Sequence, residues 1–240
     1  MVLYISDEPR HWTKEIAVQM KALCAMIHAV DPEIPIYSST WQFRPEWIGS
    51  IDVWGVGSYG CFTTDEMAKV RAAGGRLWFT TDGQMCIDTP YCAIEQLLPL
   101  YAAVHGVEKY EFWGAPWVTN DPWRFGWHEY VEGGIRFPNG DGFILYPPRK
   151  PHEDARPCPS VRLVAARDGV ELHSYYRMLE RLANADGAFS AEARELLAVC
   201  RRLCVIPNAG GRRSTALLNN PGILDDWRFR AGTLLDASAK

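Results

Sequence analysis

The chain has 240 residues, 48% hydrophobic and 22% charged, with a net charge of -4, which is the balance of a globular protein long enough for one large α/β domain. The slight acidity excludes a general attraction to nucleic acid or to an anionic membrane, and no run approaches the roughly 18 apolar residues of a membrane span. Seven cysteines with no C-x-x-C pair, and six histidines apart from them, form neither a zinc pattern nor a disulfide framework, so no metal or organic cofactor is expected. The N-terminus has no basic region ahead of an apolar core, so no signal peptide is visible and the cytoplasm is the default compartment.

The first apolar run, Val2 to Ile5, reads as a strand that ends at Ser6, two adjacent carboxylates, Asp7 and Glu8, and a strand-stopping Pro9. Neighbours inside a strand point to opposite faces, but where strand gives way to loop both carboxylates can reach one pocket. Strand ends of parallel sheets are where α/β proteins place their chemistry. The plainer reading is a loop opening ahead of a helix, where carboxylates are common. Thr13 predicts a cap for a helix to about Val30, with Ile16, Met20, Leu23, Ile27 and Val30 on one face.

A short strand follows at 34–38, an aromatic loop with Trp41, Phe43 and Trp47, and a second strand at 51–56. Thr63 and Glu66 form a capping box for a helix that ends at Gly74-Gly75. The next strand, Arg76 to Thr81, runs into Asp82-Gly83. Thr89 and Pro90 open a helix to His105-Gly106, in which Pro99 predicts a kink. A strand at 109–113 leads into a loop carrying Trp113, Trp117, Trp123 and Trp127. The proline-dense stretch 138–159 reads as loop with a short strand near Phe143 to Tyr146. Helices are expected from Ser160 to about Ala183, from Ser190, and around 224–235. Half of the ten tryptophans suit a core. The others sit at strand ends and in loops, where a flat apolar face can stack on a sugar ring.

Strands alternating with helices predict a parallel sheet with crossover helices. Five strands are visible where a closed barrel has eight, and the first begins at residue 2. The expected fold is therefore α/β, the C-terminal five strands of a (β/α)8 barrel over residues 1–183, with a helical extension over 184–240 packed on the same domain. A complete open five-stranded sheet is the alternative.

Seven blocks then occur in register: the strand ending Ser6-Asp7-Glu8-Pro9, Trp78-Phe79-Thr80-Thr81, Ile87-Asp88-Thr89-Pro90, Phe112-Trp113-Gly114, Asp121-Pro122-Trp123, Asp141-Gly142 with Tyr146-Pro147, and Ser160 to Glu171. Together they resemble the catalytic domain of glycoside hydrolase family 123, the β-N-acetylgalactosaminidases, from residue 2 to about residue 182. The resemblance implies hydrolysis of a terminal β-linked N-acetylhexosamine by a substrate-assisted, retaining mechanism. Glu8 would be acid and base, and Asp7 would orient the acetamido group. It also implies Tyr37 and Tyr59 as hydrogen-bond donors to the acetamido carbonyl, and Trp78, Trp113 and Trp117 as the aromatic wall. Arg162, Arg167, Asp168 and Glu171 lie at helical spacing and predict a structural ion-pair network. The family domain has further barrel strands before this region, so the first strand's outer edge would stand unpaired and favour self-association. It also has an acidic residue after Glu171, where this chain has Leu172 and His173. Two other readings stay open. Glu8 and Asp82 would make an ordinary acid and nucleophile pair, or the chain is a non-catalytic fragment with residual carbohydrate binding.

Overall fold

Strand-forming runs alternate with amphipathic helical segments along most of the chain, and the computed structural model of the protein builds its elements from that alternation. It describes residues 2–9, 13–40, 43–56, 62–81, 93–117, 121–125, 128–129, 136–137, 140, 142–150, 155–185, 187–206, 220 and 222–240. The chain divides into two compact units, one of residues 1–81, 107–111 and 206–213, the other of residues 82–106, 112–205 and 214–240.

The first unit carries β1 (Leu3–Ser6), α1 (Lys14–Val30), β2 (Ile36–Thr40), β3 (Val53–Val56), α2 (Thr64–Ala72), β4 (Arg76–Thr81) and most of β5 (Lys109–Phe112). The sheet order is β1-β2-β3-β4-β5, and β1 to β4 pair in parallel. A doubly wound sheet reverses its strand order at a switch point, whereas a barrel wall adds each strand beside the last. This sheet does the latter. β1 forms one edge, with Leu3 and Tyr4 exposed.

Local chemistry sets where the elements begin. The box at the start of α2 is complete: Glu66 N donates to Thr63 Oγ1 at 3.2 Å and Thr63 N to the Glu66 carboxylate at 2.8 Å. Thr13 occupies the cap position of α1, but its side chain makes no cap bond. β2 starts two residues later than its apolar run, because Pro35 has no N–H and Ile34 N turns back to Asp31 O. Asp52 Oδ2 takes the Ile36 N–H at 2.7 Å and lies 3.1 Å from His28 Nε2, joining α1, β2 and the start of β3. One face of the sheet packs Trp54 and Val56 with Trp47, Phe62, Met67 and Val70, all buried.

The second unit is mainly helical, with α3 (Ala93–Val104), α4 (Val161–Asn184), α5 (Ser190–Leu203) and α6 (Gly222–Ser238). It also holds two short antiparallel pairs, β6 (His128–Glu129) with β7 (Arg136–Phe137) and β8 (Leu145–Tyr146) with β9 (Cys158–Pro159). α3 runs through Pro99 without interruption. Ser160 caps α4 by accepting from Leu163 N, and α4 buries Ala165, Ala166, Gly169, Leu172, Tyr176, Leu179 and Ala183 at the spacing of one helical stripe. Ser190 is the first residue of α5 rather than its cap, its hydroxyl donating to Gly187 O at 2.9 Å.

The charged set on α4 divides. Arg167 pairs with Asp168 at 2.8 Å and Glu171 with Arg228 of α6. Arg162 turns inward instead, 2% exposed, donating to Phe143 O and to the Tyr146 hydroxyl. Among the described residues, Cys24, Cys200 and Cys204 are buried free thiols. No group of three or more histidine, cysteine or acidic residues there could hold a metal ion, and no described helix is long and apolar enough to cross a membrane.

Candidate active site

Alternation along the strands decides which side chains share the sheet's second face. The pairings Tyr4 with Tyr37, Ser39 with Gly55 and Gly55 with Trp78 put these residues together. β1 ends at Ser6, so Asp7 and Glu8 emerge at its C-terminal end beside Ser39 of β2. Hydrogen bonds to β1 and β2 fix them. Asp7 Oδ1 accepts from the Tyr4 hydroxyl at 2.8 Å and from the Ser39 hydroxyl at 2.8 Å. Ser39 Oγ in turn accepts the Glu8 N–H at 3.1 Å, and Ser38 Oγ ties β2 to Ser6 O at 3.0 Å.

Both donors land on one oxygen of Asp7. The other, Oδ2, has no partner among the described residues, and the side chain is exposed. Glu8 is exposed too, with φ of +43°, and it is the one non-glycine residue with positive φ among those described. A left-handed backbone at a residue that is not glycine costs about 1–2 kcal/mol, and such strain collects at functional sites. The Glu8 N–H bond to Ser39 Oγ helps to hold this backbone in place.

Beyond Asp7 an aromatic floor crosses the sheet. The Tyr4 and Tyr37 ring centroids are 5.0 Å apart and those of Tyr37 and Trp78 5.1 Å, with Lys109 Nζ 4.9 Å from the Trp78 ring centre. Tyr37, 2% exposed, donates its hydroxyl proton to Glu111 of β5. In a flat sheet β2 and β5 would stand roughly 14 Å apart, three strand spacings, with their side chains parallel. The Tyr37–Glu111 bond closes that gap, so the sheet is curled with this face inside.

Burial raises the Tyr4 hydroxyl pKa, with the Ser39 bond opposing and Asp7 reinforcing the shift. Burial also raises that of Tyr37, reinforced by the bond to Glu111. Both phenols therefore stay protonated and act as donors. Glu111 is pushed above the ordinary 4.5, first by burial, against the stabilising Tyr37 bond, and further by the negative charge of Asp7. An acid whose folded pKa is raised binds its proton more tightly in the folded state, so its stabilising contribution is lost as pH rises above 4.5. Glu111→Gln should thus gain stability relative to the wild type as pH is raised from 4.5 toward 8. Urea midpoints measured across that range check this, and parallel curves for the two proteins would contradict it.

No protein-family model matches this sequence, and no curated protein matches it. Among solved structures, a family 123 glycoside hydrolase from Clostridium perfringens, described for the details of glycolipid glycan hydrolysis, is similar. It aligns with 100% of this chain and 42% of its own, at 14% identity and a TM-score of 0.64. The likeness is one of fold. The chain spans less than half the length of that protein.

The residues anticipated from sequence divide by location. Asp7, Glu8, Tyr37 and Trp78 come together in the first unit. Trp113 and Trp117 belong to the second, with ring centroids 5.2 Å apart. Gly142, at φ of +76°, passes beneath them, where a Cβ would come within 2.7 Å of the Trp113 ring. Tyr59 and Asp82 lie outside the described residues. Tyr4, Ser39 and Glu111 were not anticipated. A sequence signal was present for two of them: Ser38-Ser39-Thr40 puts three hydroxyls in a row where a strand ends, and Lys109 and Glu111 put two charges on one face of another strand.

Proposed function

We propose that the chain is a glycoside hydrolase acting on terminal β-linked N-acetylhexosamine, N-acetylgalactosamine first, built on the C-terminal five strands of a (β/α)8 barrel. The observation that carries the proposal is the carboxylate pair at the end of β1. One oxygen of Asp7 is locked by Tyr4 and Ser39, the other is open, and Glu8 follows on a strained backbone.

The open Asp7 oxygen accepts the substrate's acetamido N–H. This orients the acetamido carbonyl oxygen behind the anomeric carbon and stabilises the positive charge that develops on the acetamido group. The carbonyl oxygen forms a bond to the anomeric carbon as the glycosidic bond breaks, and Glu8 protonates the leaving oxygen. Glu8, now ionised, takes a proton from water as that water attacks the anomeric carbon. The acetamido group is released and the β configuration is retained. Neither carboxylate has to reach the far face of the sugar, which suits two neighbours in sequence. Tyr4 and Ser39 act as positioning residues. Tyr37, its proton engaged by Glu111, contributes to the floor with Trp78; Tyr59, Trp113 and Trp117 are further sugar contacts that the family resemblance implies.

The test is release of nitrophenol from nitrophenyl β-N-acetylgalactosaminide by the purified 240-residue chain, with inhibition by the thiazoline analogue of the intermediate. Equal hydrolysis of the β-galactoside, which has no acetamido group, together with inactivity of Asp82→Asn, would replace this mechanism by the ordinary two-carboxylate one. No turnover by folded protein would remove the enzyme reading. Glycans of glycolipids, the substrate class described for the structural neighbour, are the natural substrates to follow.

A further inference from the structure

We infer that the turn at 121–125, with Arg149 beside it, is a second carbohydrate-binding site, one that takes a carboxylate-bearing sugar of the sialic- or uronic-acid type. The choice of a sugar rests on the proposed glycosidase reading. The preference for a negative charge rests on the side chains of the turn.

The turn is held by its own first residue. Asp121 Oδ1 accepts from Trp123 N at 2.9 Å, and Asp121 O accepts from Arg124 N at 3.2 Å and from Phe125 N at 3.0 Å. Trp123 is anchored along one edge, its Nε1 donating to Pro147 O at 3.3 Å and its ring centroid 5.1 Å from that of Tyr146. Even so, Trp123 stays 41% exposed and Phe125 40%, with the exposed Arg124 between them in sequence. Large apolar side chains left open to water side by side, on backbone this well fixed, mark an interaction surface.

Two guanidinium groups complete it. Arg149 Cζ lies 5.4 Å from the Trp123 ring centre, and Arg124 Cζ 5.2 Å from that of Phe125. The attraction of a cation to a ring face does not use up the five N–H donors that each guanidinium carries. Among the described residues, the arginines that pair with carboxylates are Arg44, Arg76, Arg167, Arg177 and Arg228. Arg124 and Arg149 are not of that set, although the chain has 29 acidic residues against 25 basic ones. A planar guanidinium takes a carboxylate through two parallel N–H···O bonds, and the rings beside it offer apolar surface to the C–H face of a pyranose. An acidic sugar supplies both features at once. A neutral sugar lacks the first and an inorganic anion the second.

The experiment measures binding of sialyllactose, of its methyl ester, in which the carboxylate is neutralised, and of lactose to the full chain by calorimetry. Sialyllactose should bind about 10-fold more tightly than the other two, and added salt should narrow the difference. Arg149→Ala and Arg124→Ala should each cut that preference roughly 3- to 10-fold. Arg149→Lys, which keeps the charge without the fork, should fall between Arg149→Ala and the wild type. Both arginines are exposed, so unchanged thermal midpoints should accompany these losses. Equal binding of the three sugars, or a preference that survives both alanine variants, overturns the inference. Hexaglutamate displacing sialyllactose at equal concentration would also overturn it, making the surface one for acidic peptides. Hydrolysis of nitrophenyl β-N-acetylgalactosaminide by a chain with no preference for sialyllactose removes this inference and leaves the glycosidase reading standing. A preference for sialyllactose without hydrolysis removes the glycosidase reading and leaves this site.

Discussion

Glu8→Gln is expected to lower kcat for nitrophenyl β-N-acetylgalactosaminide by about 10²- to 10⁴-fold, the usual contribution of a positioned general acid and base. The thermal midpoint should hardly move, because the side chain is exposed and the backbone bond from Glu8 N to Ser39 Oγ survives the change. Glu8→Gly adds a second comparison. Glycine adopts a φ of +43° without strain, so about 1–2 kcal/mol of local cost is relieved. Against that stands about 0.5–1 kcal/mol of added chain entropy in the unfolded state. Glu8→Gly should be as inactive as Glu8→Gln and no less stable than the wild type. Thermal unfolding beside steady-state rates separates the two effects. Loss of activity accompanied by a large loss of stability would show that Glu8 serves the fold and not the chemistry.

The part of this site that could be read from the sequence is the part that is local. Asp7 and Glu8 are adjacent, Pro9 behind them stops the strand, and strand termini are where such pairs can act together. The capping box of α2 and the buried stripe of α4 are local in the same sense, set by residues three or four apart. Tyr4, Ser39 and Glu111 escape because their roles depend on register and curl. Tyr4 meets Ser39 only after β1 and β2 pair with Tyr4 opposite Tyr37. Glu111 meets Tyr37 across 74 residues of chain and only because the sheet curls. Element boundaries moved for physical reasons as well. The strand over 34–38 became Ile36–Thr40 because Pro35 cannot donate and Asp52 supplies the first acceptor. The helical spacing of Arg162, Arg167, Asp168 and Glu171 suggested one network, but helical spacing does not say which way a long side chain turns. Arg162 went to a backbone carbonyl and a tyrosine hydroxyl instead.

Gly55→Ala should do the most damage per atom added. The new Cβ would lie 2.4 Å from the Tyr37 hydroxyl oxygen, 2.8 Å from its ring carbon Cζ and 2.9 Å from the Ser39 Cα. The last is backbone and cannot yield cheaply, so the Tyr37 ring must move. Overpacking of this kind costs about 1–3 kcal/mol, which for a chain of this size lowers Tm by roughly 2–12 °C. The displacement carries further. Moving Tyr37 breaks its bond to Glu111 and disturbs the Tyr4 ring packed beside it, and Tyr4 is one of the two donors that lock Asp7. A misplacement of about 1 Å at a reacting group can cost on the order of 100-fold in rate, so kcat/KM should fall by roughly 10- to 100-fold even well below Tm. In a Tyr37→Phe background the closest contact is absent, and the stability cost of Gly55→Ala should shrink by at least about 0.5 kcal/mol, the coupling expected of residues in direct contact. Additive costs in that double-mutant cycle would mean that Tyr37 does not lie over Gly55. The route from β3 through Tyr37 and Tyr4 to the carboxylate pair would then be lost with it.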